Sequence, residues 1–159
     1  CGKKGLIKKI QNNPLYRALR CDKFTLSLLE HSLKTFISDS NFNSENLVIS
    51  LLNRDRGTLE KMGNKILNKI DKKIINKNNI ELIPSNVEAG SGSLPTKNIE
   101  SCAISIQSEI KPMLLSKKFR SASIPIIGYI NKGTFFIDLK AITADQAQLV
   151  SNIIVEVLS

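Results

Sequence analysis

The stretch IPIIGYINKGTFFIDL, residues 124 to 139, decides the fold class. Two apolar runs, IPIIGYI and TFFIDL, are separated by Asn131, Lys132 and Gly133. That trio supplies turn chemistry, with a residue able to take positive φ, so the segment predicts a β-hairpin. Downstream, Thr143 and Gln146 stand at capping-box spacing before a run whose apolar positions Leu149, Val150, Ile153, Ile154, Val157 and Leu158 repeat at helical period. Those six positions are expected to face inward. Upstream, IELIPS is a short strand candidate, SCAISIQ at 101–107 alternates apolar and polar, and a helix is expected near Ile110 to Phe119. The resulting order is strand, strand, helix, strand, strand, helix. It predicts an α+β arrangement, a small antiparallel sheet with helices packed on one face.

The first half of the chain reads as helix. Residues 3–12 form a short basic helix broken by Asn12, Asn13 and Pro14. Asp22 is a candidate N-cap for a helix to about Ile37, with Leu26, Leu29, Leu33, Phe36 and Ile37 on one stripe that needs a partner surface. A polar loop, 38–46, ends in a possible Ser44 cap for a short helix through Leu52. Gly57 to about Asn76 then reads as the longest helix, with Leu59, Met62, Ile66, Leu67, Ile70 and Ile74 buried and Lys61, Lys65, Lys69 and Lys72 on the opposite face.

A chain of 159 residues, 42% apolar and 23% charged, is long enough for a domain with a real core and is not a disordered tail. No apolar run approaches the roughly 20 residues needed to span a bilayer, and no charged-then-apolar signal pattern opens the chain. A cytoplasmic location is expected. Cys1, Cys21 and Cys102 are odd in number and lack C-x-x-C spacing, which argues against a disulfide framework and a zinc site. His31, the single histidine, has no companion ligand or nucleophile. Residues 1–24 carry a net +6 and residues 54–77 a net +5, while the remainder is −2. This asymmetry fits a polyanionic partner, nucleic acid being the usual one, or a solvated lysine-rich surface.

The segment NPLYRALRCDK, residues 13–23, holds the best candidate for chemistry. Arg17 and Arg20, three residues apart, can project onto one face and form a fork-like clamp for a phosphate-sized oxyanion. The alternative is structural: one arginine caps the preceding helix and the other pairs with Asp22 or Glu30. The loop Gly90-Ser91-Gly92-Ser93 lacks the lysine and following helix of a P-loop, so its glycines more readily let the backbone cross between strands or approach a neighbouring subunit, with Pro95 fixing the exit.

GKKGLIKKIQNNPLYRALRCDKFTLSLLE, together with VEAGSGSLP at 87–95 and the hairpin at 124–139, resembles the bacterial selenocysteine synthase family, the L-seryl-tRNA(Sec) selenium transferases. These matches occur in one order over nearly the whole chain. The resemblance implies the C-terminal part of a fold-type-I pyridoxal-phosphate enzyme: residues 1–22 end the large cofactor domain, and residues 23–159 are the connecting helix and the C-terminal small domain. It implies pyridoxal 5'-phosphate as cofactor of the parent enzyme, with its Schiff-base lysine upstream of this chain, so that no catalytic residue is expected here. It also implies seryl-tRNA(Sec) and selenophosphate as substrates, a homodecamer as the assembly, and Arg17 and Arg20 as the residues binding the donor's phosphate. The sequence departs from the family's pattern at Tyr129, where arginine is common, and at Gly90-Ser91-Gly92, where three glycines are common. The rival readings are the small domain of a related pyridoxal-phosphate lyase and a non-enzymatic basic RNA-binding module.

Overall fold

The computed structural model describes residues 2–37, 46–88 and 98–159. Contacts divide the chain into two compact units, Cys1–Asn46 and Leu47–Ser159.

The first unit holds α1 (Lys4–Gln11), a 3-10 turn (Pro14–Arg17) and α2 (Lys23–Thr35). Asp22 caps α2 as expected, its carboxylate accepting from the Thr25 N–H at 2.7 Å and from the Thr25 hydroxyl at 3.1 Å. The apolar stripe of α2 stays uncovered: Leu26, Leu29, Leu33 and Phe36 are each more than half exposed. Among the described residues of this unit none is buried. The expected Ser44 cap lies outside the described residues.

The second unit contains α3 (Leu47–Leu52), α4 (Arg56–Leu67), α5 (Lys72–Lys77), β1 (Ile80–Glu88), β2 (Asn98–Ile106), α6 (Pro112–Arg120), β3 (Tyr129–Asn131), β4 (Thr134–Asp138), a 3-10 turn (Ala144–Gln146) and α7 (Ala147–Leu158). The strands form one antiparallel sheet in the order β1-β2-β4-β3. The expected element order holds, and the α+β class with it.

Register explains the core. Ile104 lies opposite Leu82 and Ile137, and Ile106 opposite Ile80 and Phe135, so these side chains share one face of the sheet. They join Leu59, Ile66, Leu115, Phe119, Ile153 and Ile154 from the helices in one cluster. Phe119 stacks on Phe135 with ring centroids 5.0 Å apart. The hairpin turn is built by Lys132 and Gly133, at φ 46° and 79°, the two positive values that a two-residue type I′ turn requires.

Four expectations need correction. The helix from Gly57 to Asn76 is two helices, α4 and α5, because Asp71 caps a new start by accepting from the Lys73 N–H at 2.8 Å. The buried positions keep their period across the break, with Leu59, Met62, Ile66 and Ile70 all inside, so periodicity alone hid it. IELIPS belongs to a nine-residue strand that runs through Pro84, which is tolerated because β1 has only one neighbour in the sheet. The first hairpin strand is only Tyr129–Asn131. Residues 124–128 lie outside it, tethered by the Ile126 N–H to the Phe119 carbonyl at 2.9 Å. There Gly128 passes so close to β4 that an added Cβ would sit 2.2 Å from the Phe136 carbonyl oxygen. Finally, Leu149 is not inward but 42% exposed at the mouth of a groove between α7 and residues 124–127.

Candidate functional site

The Arg17–Arg20 segment is shaped by its own local bonds. Asn13 accepts from the Leu15 N–H at 2.9 Å through Oδ1, and Pro14 fixes the first turn, so the chain leaving α1 coils into the 3-10 turn. The Ala18 and Leu19 N–H groups close on the Leu15 carbonyl at 3.0 and 3.3 Å. This tight path places Arg17 at the end of the turn and Arg20 just beyond it. Both line one open depression with Gln11, Asn13, Pro14 and Tyr16.

The two described carboxylates of the first unit, Asp22 and Glu30, are occupied elsewhere. Asp22 is turned to Thr25, whose bonds hold its carboxyl below the usual range. Glu30 pairs with Lys34 at 2.7 Å. Among the described residues neither Arg17 nor Arg20 forms an ion pair. Two guanidiniums with free forks on one open surface suit a phosphate-sized anion, since each can present two parallel donors to it. The sequence placed these arginines together; it gave no sign that Tyr16 would border the same depression.

The second unit holds buried and half-buried polar groups that the sequence did not announce. Arg54 donates through Nη1 to the Ile142 carbonyl at 2.6 Å, and through Nη2 to the Leu139 carbonyl at 3.2 Å and to the Lys140 carbonyl. In return the buried Lys140 Nζ donates to the Arg54 carbonyl at 2.6 Å and the Glu100 carbonyl at 2.9 Å. Burial, with the nearby Arg54 charge, pushes the Lys140 ammonium pKa down. Asp138 accepts from the Ser85 and Ser101 hydroxyls, both at 2.7 Å, and from the Lys140 N–H at 2.8 Å. These bonds stitch the α3–α4 junction to the segment after β4, while the buried Arg54 Nε has no hydrogen-bond partner among the described residues.

This arrangement bears on a pyridoxal-phosphate site. A Schiff-base lysine needs a free amine facing a cavity. Lys140, the buried lysine, has its amine bonded to two main-chain carbonyls, and the other described lysines are exposed. The described residues of this chain thus include no buried lysine with a free amine. Among them no cluster of His, Cys, Asp and Glu could hold a metal ion, and no helix is long and apolar enough to cross a membrane. Cys102 is buried, and desolvation pushes its thiol pKa up, which makes it a poor nucleophile. Tyr129 stacks on Phe136 with ring centroids 5.1 Å apart, an apolar packing role. The Gly90–Ser93 loop lies outside the described residues.

A small antiparallel α+β unit, preceded in the sequence by a helical segment in which two arginines line one open depression, is the class of protein the fold and the site define. The sequence model for the L-seryl-tRNA selenium transferases matches residues 1–143, and the chain belongs to that family. Three curated relatives named L-seryl-tRNA(Sec) selenium transferase illustrate the similarity. The one from Actinobacillus pleuropneumoniae serotype 5b is 33% identical over 142 residues, covering 88% of this chain and 31% of the relative. That from Haemophilus influenzae strain PittEE is 31% identical over 150 residues, 93% of this chain and 32% of the relative. That from Clostridium perfringens strain ATCC 13124 is 32% identical over 158 residues, 98% of this chain and 34% of the relative. The chain thus spans about a third of the length of the curated relatives it matches.

Proposed function

We propose that this chain is the part of an L-seryl-tRNA(Sec) selenium transferase that presents the clamp for the selenium donor, with Arg17 and Arg20 holding the phosphate group of selenophosphate. The parent enzyme converts seryl-tRNA(Sec) to selenocysteinyl-tRNA(Sec), works as a homo-oligomer, and takes its pyridoxal-phosphate chemistry from residues upstream of this chain. In that reading residues 1–22 end the cofactor domain, and residues 23–159 are the connecting helix and small domain. Alone, the chain is inactive.

One observation carries the reading: within a stretch matched to the family, two guanidiniums border one open depression and neither meets a carboxylate among the described residues. Selenophosphate delivers its selenium while its phosphate charge is being redistributed. Fixed cations that neutralise this charge and orient the donor lower the barrier of that step. Tyr16 lines the same depression, and its hydroxyl is a neutral donor type.

The test uses the full-length parent enzyme. Arg17→Ala or Arg20→Ala should each slow selenium transfer roughly tenfold or more at limiting selenophosphate, since a charge-assisted bond is worth about 1.5 to 3 kcal/mol. Loading of seryl-tRNA, measured without donor, should hold. Arg→Lys should restore transfer only in part, because an ammonium cannot reproduce the bidentate fork. Normal transfer rates for both alanine variants would return the arginines to a structural role.

A further inference from the structure

The α4–α5 ridge is basic for a reason the fold makes visible. Its helices turn Leu59, Met62, Gly63 and Ile66 inward, so Lys61 and Lys65, four residues apart, emerge together on the outer side. Lys69 follows just past the α4 cap, and Lys72, Lys73 and Lys77 belong to α5. All six are exposed. The acids in this region are used up locally: Asp55 caps α4 through the Thr58 N–H at 2.7 Å, Asp71 caps α5, and Glu60 pairs with Arg56 at 2.8 Å. None of the six lysines forms an ion pair among the described residues. The positive surface continues onto α6, since Lys77 and Lys118 line one depression with Asn78, Ser108 and the single acid Glu109.

We propose that this ridge is a docking surface for the sugar-phosphate backbone of a folded RNA. Six lysines without an ion pair, five on two consecutive helices and Lys69 between them, would cost self-repulsion, and a polyanion relieves it. Lys61 and Lys65 stand about 6 Å apart along the helix axis, and Lys72 and Lys73 follow at the start of α5, a string of point charges suited to successive phosphates of one strand, while the Lys69 amine donates to Gln148 Oε1. The ridge bears lysines, not arginine forks, and no aromatic residue stands among residues 57–79 to stack on a base. Contact is therefore with backbone charge and shape, and it positions an RNA without reading its sequence. The choice of RNA over other polyanions rests on the family reading, in which the substrate is an aminoacylated tRNA. The ridge belongs to the second unit and shares no residue with the Arg17–Arg20 depression.

The experiment measures binding of a labelled, unacylated tRNA transcript to the 159-residue chain by fluorescence anisotropy across a salt series. Three proteins are compared: the wild type, the triple variant Lys61→Gln, Lys65→Gln, Lys72→Gln, and a charge-matched control, Lys9→Gln, Lys111→Gln, Lys132→Asn. All substituted positions are exposed, and circular dichroism verifies the fold. The ridge variant should bind at least tenfold more weakly than the control at low salt. Its plot of log K against log salt should be shallower by about two, as three lost phosphate contacts demand. Equal weakening in both triples, or none in the ridge variant, overturns the proposal. So does wild-type binding to vesicles rich in phosphatidylglycerol with none to tRNA. The Arg17 and Arg20 variants of the parent enzyme report on the donor clamp separately, so a ridge that binds RNA survives failure of that assignment, and the reverse holds as well.

Discussion

The two units use similar apolar material to opposite ends. In the second, a sheet gives Ile104, Ile106, Phe135 and Ile137 a common plane, and α4, α6 and α7 close over it until Phe119 and Ile154 lose all solvent contact. In the first, two helices and a turn carry Phe24, Leu26, Leu29, Leu33 and Phe36, all of them more than half exposed. An amphipathic stripe becomes core only when a second surface faces it. A four-stranded sheet provides that surface within its own unit; a pair of short helices does not.

The sharpest way to break this contrast is Phe119→Ala, which removes a ring stacked on Phe135 inside a closed cluster. It should lower the unfolding free energy of the second unit by about 3–5 kcal/mol in a denaturant titration. Gly128→Ala should come next, at about 1–3 kcal/mol, because the added methyl meets the Phe136 carbonyl and the Phe135 ring rather than a yielding side chain. The same titration reads it. Leu29→Ala should change stability by less than about 0.5 kcal/mol, since its side chain leaves little contact behind. A loss for Leu29→Ala equal to that for Phe119→Ala would mean that the first unit has a closed core after all.

Much of this was legible in local chemistry. Asp22, the Thr143–Gln146 capping box and the Lys132-Gly133 turn each state their geometry within four residues, and the structure follows them. Position-by-position errors arose where two local signals competed. Asp71 is both a polar residue on the outer face of an apparent long helix and a helix cap, and periodicity concealed the second role. Ile124 to Ile127 look like strand, yet Pro125 and the crowding at Gly128 keep them out of the ladder. For the candidate site, the spacing of Arg17 and Arg20 was enough to pair them. The occupation of Asp22 and Glu30 by other partners became visible only with side-chain positions.

Arg54 has a consequence for how such proteins can be compared. Its guanidinium is held by the main-chain oxygens of residues 139, 140 and 142, and Lys140 answers through the main-chain oxygens of residues 54 and 100. A carbonyl oxygen is the same in every residue type, so the acceptors can change identity without breaking the bonds. No compensating change at positions 139 or 142 would follow a change at 54, and correlated substitution, which exposes contacts between side chains, is blind to this link. The tie between the α3–α4 junction and the end of β4 is thus recorded in the path of the backbone, and two sequences that keep Arg54 and Lys140 could share it while differing at residues 100, 139 and 142.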